Sequence, residues 1–376
     1  MNRPVAVFAA NRGYALTSSR MSLIRHFLAK DWVVVLATAD DEESRELCNM
    51  GAVLEPVRFN RGGLSPVADM AAFVRLRNIY RKWKPIMVQH FHAKPLIIGS
   101  LAAKQVPAHK VRIINTITGL GHAFVAGGIL SRLAGIGYST ASSNADIMIF
   151  QNKDDMALFR EKGWVEKGRS RLVRGSGVDI EQFKGKVRYR RDIHKPIVVM
   201  LGRLLRQKGI LEFAEVARRV RHRWPEARFL WAGEEDSGHP DSVSAKRLRS
   251  QTGVEYLGRL SDVVPLLNKA DILLFPSYYR EGVPRVVLES SAMALPTVGF
   301  DVPGVREAVV HGRTGFLVKE RDVDALTERV IFLLENESIR QQMGSAARNM
   351  VIRDFNIKSI QEQYLELYRD IGIRDL

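Results

Sequence analysis

Cysteine is nearly absent from this sequence, and long apolar segments are absent altogether. The 376 residues include one cysteine, Cys48, which excludes an intramolecular disulfide and argues against a cysteine-based metal site. A reducing compartment is therefore expected. No run of 18 apolar residues occurs, so the sequence predicts no membrane-spanning helix. The apolar stretch 5–10 is too short for a signal peptide and predicts a first strand.

Acidic residues are scarce relative to basic ones. The chain has 57 Lys and Arg against 41 Asp and Glu, a formal net charge of +16. Residues 1–185 hold 26 basic and 15 acidic residues, a net of +11, and residues 186–376 hold 31 and 26, a net of +5. Such a balance favours a polyanionic partner, which is a nucleic acid, an anionic lipid or a phosphorylated small molecule.

Short apolar runs alternate with helical patterns along the whole chain, which predicts parallel sheets covered by helices. Continuously apolar strands are expected where both faces of a sheet are buried, as at 33–38, 147–151 and 272–276. The pattern restarts with a strand at 197 after a glycine-containing and then basic stretch. We therefore place a domain boundary near 185, between two doubly wound α/β domains whose strand ends face a common cleft.

A basic loop follows the strand 197–201. Gly202 ends the strand, and Arg203 and Lys208 lie on the loop before the next helix. A guanidinium, an ammonium and a helix N-terminus at the carboxyl end of a strand make an anion site. An exposed basic loop is the alternative interpretation.

Two carboxylates, Glu281 and Glu289, flank the start of a later helix. Gly282 permits close backbone approach there, and Pro284 suits a first helical turn. Amides at that helix start would point at an anion. Taken alone, the pair is better explained as a helix-dipole glutamate and a solvated surface glutamate.

Taken together, these motifs resemble glycosyltransferase family 4. The resemblance is carried by Gly202-Arg203, Lys208-Gly209, Glu281, Glu289 and the segments 175–179, 301–307 and 312–318. It implies a retaining enzyme of the α/β GT-B class, with two Rossmann-like doubly wound domains facing a cleft. The implied domains are an acceptor-binding, membrane-facing domain at 1–185 and a nucleotide-sugar-binding domain at 186–355. A C-terminal helix at 356–376 is expected to pack back on the first domain.

The resemblance also implies the donor site. Arg203 and Lys208 would bind the donor diphosphate and act in catalysis with Glu281, which would contact the sugar hydroxyls, while Glu289 would bind the ribose. The further donor-binding predictions are Gly13, Gly258, Arg259, Leu260, Ser277, Gly282 and Val283. Fixed cations and helix amides stabilise a departing diphosphate without a metal. Asp322 and Asp324 are interpreted as part of a helix cap, so no divalent cation is expected.

In the first half of the chain, 90–95 and 115–124 are similar to enzymes that build bacterial surface polysaccharides and lipid-linked oligosaccharides. The resemblance implies an undecaprenyl-diphosphate-linked acceptor, and the predicted acceptor-binding residues are Arg20, His92, Lys94, Thr118, Gly119 and His122. Many family members carry a histidine where this chain has Thr118. His122 lies four residues further on. His90 is interpreted as a structural histidine.

Two segments, 67–84 and 123–138, mix apolar and basic residues and are candidates for contact with lipid. Core packing is the alternative for the first. We expect a peripheral protein on the cytoplasmic face of the inner membrane.

The predicted function is transfer of a sugar, an N-acetylhexosamine by resemblance, from a UDP-sugar to a lipid-linked saccharide with an α-linkage. A UDP-N-acetylhexosamine 2-epimerase-like enzyme and a non-enzymatic basic binding protein are the alternatives. The second would require aromatic and basic residues interleaved on one face, which we do not find, and nucleic acid is therefore not expected as a partner.

Overall fold

A computed structural model describes residues 3–60, 65–106, 111–120, 128–185, 195–236, 238–239, 241–246, 253–374 and 376. The chain divides into two units by its internal contacts. Unit 1 consists of Met1–Gly177, Glu281–Val283 and Ile357–Leu376, and unit 2 of Val178–Arg280 and Pro284–Asn356.

Unit 1 is built on a parallel sheet of seven strands in the order β3-β2-β1-β4-β5-β6-β7. The strands are β1 (Val5–Ala9), β2 (Val33–Ala37), β3 (Val53–Leu54), β4 (Met87–Phe91), β5 (Arg112–Ile117), β6 (Ile147–Phe150) and β7 (Ser170–Leu172). Strands β1, β2 and β6 are apolar at every position because both faces of the sheet are covered, whereas β4 and β5 also bury polar side chains, Gln89, His90, Asn115 and Thr116. Alternate side chains of β1 therefore enter opposite cores: Val7 joins one cluster and Phe8 the other.

Helices cover each face of this sheet. The cluster around Val7 includes side chains of α3 (Pro66–Trp83), α4 (Ala93–Lys104), α5 (Gly128–Asn144) and α6 (Lys153–Glu161). Within it, α4 packs against α3 on one side and α5 on the other. The cluster around Phe8 includes α1 (Gly13–Ala29), α2 (Glu42–Asn49) and the C-terminal α13 (Ile357–Asp370).

Unit 2 is built on a second parallel sheet, of six strands, in the order β10-β9-β8-β11-β12-β13. The strands are β8 (Ile197–Leu201), β9 (Arg228–Ala232), β10 (Glu255–Gly258), β11 (Ile272–Phe275), β12 (Thr297–Phe300) and β13 (Gly315–Val318). Its helices are α7 (Ile210–Arg221), α8 (Val264–Lys269), α9 (Arg285–Ala292), α10 (Val305–Ala308), α11 (Val323–Glu335) and α12 (Glu337–Asp354). Both units are thus Rossmann-like, with strand order reversing beside the first strand of each.

The division between the units falls at Gly177 and Val178, before the predicted boundary near 185. The reason is that residues between 178 and 185 form hydrogen bonds with α12 and the residue that follows it, which belong to unit 2. The Val178 N–H donates to the Phe355 carbonyl at 2.9 Å, and Arg348 donates to the Phe183 carbonyl at 3.1 Å. Helix α13 lies in unit 1, where Tyr364 and Tyr368 are fully buried.

No helix among the residues that the structure describes is both long and apolar enough to cross a membrane.

Candidate functional site

The loop after β8 in unit 2 is fixed by the strands beside it. Arg203 donates from Nη1 to the Asp236 carboxylate, which follows β9, at 2.7 Å. The Leu204 N–H donates to the Glu234 carbonyl at 2.9 Å. The Arg203 side chain keeps a third of its surface exposed, so the guanidinium is oriented yet accessible at the carboxyl edge of the sheet.

Three glycines stand where β8, β9 and β10 end, and they are in contact. Gly233 has its N–H on the Gly258 carbonyl at 2.8 Å. A Cβ at Gly233 would collide with the Gly202 carbonyl, so only glycine fits. At these strand ends the edge of the sheet therefore presents backbone atoms rather than side chains. The exposed Arg259 and the half-buried Leu260 come directly after β10.

Lys208 lies in a short 3₁₀ turn, Arg206–Lys208, that leads into α7. Its Nζ is 5.3 Å from the Tyr279 ring centroid, within the range of a cation–π contact. The Gln207 carbonyl accepts the N–H groups of Tyr278 at 3.0 Å and Tyr279 at 3.1 Å. The loops after β8 and β11 are therefore joined, and the hydroxyl of the fully buried Ser277 also donates to the Gln207 carbonyl, at 3.5 Å.

Gly209 makes this junction possible. It has φ of +79°, which favours glycine, and a Cβ there would collide with the Pro276 carbonyl. Helix α7 begins at the next residue, and its first turn therefore starts beside the joined loops.

Glu289 lies inside α9 and is paired with Arg285 one turn earlier. Nε and Nη2 of Arg285 both donate to Oε1 of Glu289, at 3.0 and 2.7 Å. Burial raises the pKa of Glu289, and the nearby Arg285 guanidinium opposes that rise. The pair is partly accessible, because 31% of the Arg285 side chain and 13% of that of Glu289 are exposed.

The segment Glu281–Val283 belongs to unit 1. The Gly282 N–H donates to the Thr118 carbonyl at 2.9 Å, and Nδ2 of Asn152 donates to the Glu281 carbonyl at 3.4 Å. A Cβ on Gly282 would collide with Oε1 of Gln151. The half-buried Glu281 side chain is thus carried on a backbone held at the carboxyl ends of β5 and β6.

Other acceptor predictions lie at the same edge of unit 1. His92 follows β4 and precedes α4, with φ of +69° and ψ of +160°, a conformation that is strained for any residue but glycine. Lys94 donates from Nζ to the Asp69 carboxylate on α3 at 2.7 Å, so Lys94 forms an ion pair with that helix. Gly119 follows Thr118 at φ of +108°. His122 lies outside the described residues.

Two family models match this chain. The first, described as glycosyl transferase 4-like, matches residues 6–152, and the second, described as glycosyl transferases group 1, matches residues 183–350. The chain belongs to glycosyltransferase family 4.

The glycosyltransferase is similar to known proteins over nearly its whole length. It is 28% identical over 378 residues to the N,N'-diacetylbacillosaminyl-diphospho-undecaprenol alpha-1,3-N-acetylgalactosaminyltransferase of Campylobacter jejuni, covering 96% of this chain and 97% of the relative. Sucrose-phosphate synthase from Thermosynechococcus elongatus has a TM-score of 0.79 at 20% identity, covering 98% and 99%. HepE of Anabaena, solved with UDP-glucose, has a TM-score of 0.77 at 18% identity, covering 97% and 99%. The fold is GT-B.

Two predicted site residues of this glycosyltransferase make contacts inside unit 1. The Gly13 N–H donates to Oδ2 of Asp41 at 2.9 Å, and a Cβ at Gly13 would collide with Asp41 and the Ser44 backbone. This packing against the capped start of α2 accounts for a glycine at position 13, and donor binding by Gly13 stays a prediction.

Arg20, the second of these residues, is only 1% exposed. Its guanidinium lies 4.8 Å from the Phe91 ring centroid and 5.0 Å from that of Tyr364, with Nη1 on the Ser19 carbonyl at 2.9 Å. Arg20 thus links α1 to β4 and α13 in the interior of unit 1, and its contact with an acceptor diphosphate stays a prediction.

His90 is a structural histidine, as predicted. The carboxamide oxygen of Asn115 can only accept, so Nδ1 of His90 donates to it at 2.8 Å, and Nε2 accepts from the Tyr80 hydroxyl at 2.9 Å. Burial lowers the pKa of His90 to about 4, which keeps the ring neutral. The predicted cap is also confirmed, because Asp322 accepts the Ala325 N–H at 2.9 Å.

Sequence reasoning missed the partners of the predicted residues: Asp236, Gly233, Arg285, Gln151 and Asn152. Only Arg285 carries a local signal, the spacing of four residues from Glu289. No group of three or more His, Cys, Asp or Glu side chains suited to a metal occurs in the described part of the chain.

Proposed function

We propose that this glycosyltransferase moves an N-acetylhexosamine from a UDP-sugar to an undecaprenyl-diphosphate-linked saccharide, with retention of configuration, forming an α-glycosidic linkage. The observation that carries the proposal is the arrangement at the carboxyl edge of the second sheet. Arg203, Lys208 and the first turn of α7 converge there beside three glycine strand ends.

A nucleotide sugar fits this arrangement chemically. Cations and free helix amides suit a diphosphate, and the glycine-lined edge lets the ligand approach the backbone closely. The carboxylate of Glu289 is an acceptor for the two ribose hydroxyls, oriented by Arg285. The solved relative HepE holds UDP-glucose, which supports a uridine nucleotide as donor.

A lipid-linked acceptor is supported by the Campylobacter relative, whose name specifies a diphospho-undecaprenol acceptor and an alpha-1,3 N-acetylgalactosaminyl transfer. The match to that enzyme spans both units, including the first-unit edge with His92 and Thr118. Assembly of a lipid-linked oligosaccharide, for protein glycosylation or a surface polysaccharide, follows from such an acceptor.

The proposed step is a same-face displacement. The acceptor hydroxyl oxygen bonds to the anomeric carbon as the bond from that carbon to the β-phosphate oxygen breaks, and the hydroxyl proton passes to the departing phosphate. UDP leaves with its added charge stabilised by Arg203 and Lys208. Glu281 holds the sugar hydroxyls during this step, and acts as a positioning group rather than a covalent nucleophile.

Because two fixed cations face the leaving group, we propose that the reaction needs no divalent metal. We also propose that the enzyme works as a peripheral protein on the cytoplasmic face of the inner membrane, where the net charge of +11 on residues 1–185 is attracted to anionic lipid.

The test is a UDP-release assay with a panel of UDP-sugars, with and without a lipid-diphosphate disaccharide, in EDTA and in Mg²⁺. Acceptor-dependent UDP release from a UDP-N-acetylhexosamine, equal in both buffers, is expected. Release of free sugar without acceptor would instead indicate the epimerase-like reaction, and an absolute need for Mg²⁺ would refute metal independence.

A further inference from the structure

Buried carboxamide side chains in unit 1 differ in whether they are hydrogen-bonded. The described part of this unit buries four of them: Gln89, Asn115, Gln151 and Asn152. The first, second and fourth donate to the side chains of Thr116, Ser100 and Asp155, at 2.9, 2.8 and 2.9 Å respectively. The Gln151 carboxamide makes no such bond with any residue that the structure describes.

An unpaired carboxamide at a buried position is unfavourable. Only 5% of Gln151 is exposed, so its side chain has lost most of its contact with water and gains no protein hydrogen bond in return. Its backbone carbonyl, by contrast, accepts the Gly175 N–H at 3.3 Å. Buried polar groups are nearly always paired, and a ligand is the partner that an enzyme can supply where the protein does not.

Gln151 lies where the candidate site residues of unit 1 meet. It directly follows β6, at the carboxyl edge of the sheet. A Cβ built on Gly282 would collide with Oε1 of Gln151 and would lie 3.1 Å from the Thr118 carbonyl carbon. The carboxamide is therefore packed against the backbone that carries Glu281, the residue proposed to hold the sugar hydroxyls.

The chemistry at this position favours a neutral ligand group that both donates and accepts. Gln151, Thr118 and Gly282 carry no charge, and the carboxylate of the adjacent Glu281 repels an anion such as phosphate. A carboxamide offers an N–H donor and a carbonyl acceptor side by side. An acetamido group presents the complementary pair, whereas a hydroxyl is a single polar atom and matches it less well.

We propose that Gln151 recognises the acetamido group of the transferred sugar and thereby selects UDP-N-acetylhexosamines over UDP-hexoses. This inference rests on the proposed function, in which Glu281 holds the same sugar, and it adds the residue that selects the donor. A site whose polar group bonds one substrate disfavours an analogue that leaves this group unpaired. Gln151 takes no part in the bonds that form and break, so it is a specificity-determining residue.

The experiment compares wild type with Gln151→Met, which keeps the length of the side chain and removes its donor and acceptor. Gln151→Ala is the second variant, and Gln105→Met, at the exposed end of α4, is the matched control. Acceptor-dependent UDP release is measured with UDP-N-acetylgalactosamine, UDP-N-acetylglucosamine, UDP-galactose and UDP-glucose. Circular dichroism melting shows that each variant folds.

Wild type and the control are expected to prefer the two acetamido donors. In Gln151→Met, kcat/KM with these donors is expected to fall by about tenfold, because two hydrogen bonds of ordinary strength are lost. The change is expected mainly in KM, since these bonds hold the ground state and the transition state alike. The ratio of kcat/KM between each acetamido donor and its matching hexose donor should fall by a similar factor.

An unchanged ratio in both Gln151 variants would overturn the proposal, whether or not overall activity falls, because a purely structural role lowers kcat/KM for every donor alike. A ratio that falls in the Gln105→Met control as well would also overturn it, since the effect would then not belong to the Gln151 position.

Donor affinity, measured by calorimetric titration without acceptor, separates this proposal from the proposed function. Loss of the affinity difference between UDP-N-acetylgalactosamine and UDP-galactose in the Gln151 variants, with no acceptor-dependent release by wild type, would support the role of Gln151 and refute the proposed function. Transfer of an N-acetylhexosamine by wild type, with the same donor preference in the Gln151 variants, would refute the role of Gln151 alone.

Discussion

The Asp236 carboxylate accepts a hydrogen bond from Nη1 of Arg203 at 2.7 Å, so the guanidinium proposed to hold the donor diphosphate is itself held by a residue on the neighbouring strand end. Asp236 is 9% exposed. A buried carboxylate that orients a partly exposed guanidinium fixes its direction before a ligand arrives, which is the form of preorganisation that transition-state stabilisation requires.

Removing either diphosphate cation should lower turnover strongly. For Arg203→Ala and Lys208→Ala we expect kcat to fall by about 100-fold or more, since each removes a fixed donor for the developing charge. Arg206→Ala is the matched control, because Arg206 is exposed in the same 3₁₀ turn and is expected to change kcat little. Steady-state UDP release measures all three variants, and equal rates for Lys208→Ala and Arg206→Ala would contradict the assignment.

Asp236→Asn should act through Arg203. The amide keeps an acceptor but removes the charge that orients the guanidinium, so we expect kcat to fall by about tenfold. In the Arg203→Ala background the same change should have almost no effect, since the residues act as one unit. A double-mutant cycle on kcat tests this, and additive losses would show that Asp236 acts independently of Arg203.

Gly282→Ala should impair catalysis without unfolding the protein. The new Cβ collides with Oε1 of Gln151 and displaces the backbone that carries Glu281, so kcat is expected to drop by about tenfold or more. A second substitution, Gln151→Ala, removes the colliding side chain and should restore part of the lost kcat. Gly168→Ala, where a Cβ meets nothing within 4 Å, is the control, and full activity of Gly282→Ala would exclude a positioning role for this contact.

His90 should make stability fall in acid. Its pKa is about 4 in the folded protein against 6.5 for the free group, so the unfolded chain binds its proton more readily. The stability gained by burying the neutral ring is complete above pH 6.5. It declines as the pH falls from 6.5 toward 4, by about 3 kcal/mol in all. Chemical denaturation at several pH values measures this, and the unfolding free energy should depend less steeply on pH in His90→Gln than in wild type.

The control for this prediction is His222→Gln, which changes an exposed histidine. It should keep the wild-type dependence of unfolding free energy on pH. An identical slope in His90→Gln and wild type would show that the buried ring does not set the acid response.

The sequence predicts the central strands well and the sheet edges poorly. Strands such as β6 and β11 are apolar at every position, a direct result of burial on both faces. The edge strands β3 and β7 have two and three residues, too few for a pattern. The predicted boundary near 185 differs from the structural division because bonds from Val178 and Phe183 reach residues far along the chain.

Some residues of the candidate site could likewise be predicted from the sequence and others could not. Arg203 and Lys208 could be predicted because a strand, a glycine and a helix start are consecutive in the chain. The need for glycine at position 233 becomes apparent only once the Gly202 carbonyl is placed beside it. The burial of Arg20 between Phe91 and Tyr364 could not be predicted from the sequence, since it depends on helix α13, which lies more than three hundred positions away.

The measurement that tests the central claim most directly is the rate of UDP release from UDP-N-acetylhexosamine, in EDTA, with and without an undecaprenyl-diphosphate-linked disaccharide. Wild type and the Arg203→Ala, Lys208→Ala double variant are compared, and the product's anomeric configuration is read by NMR. We predict acceptor-dependent release by wild type, an α-linked product and loss of release in the double variant. Absence of acceptor-dependent release with every UDP-sugar, or wild-type rates in the double variant, would contradict the account.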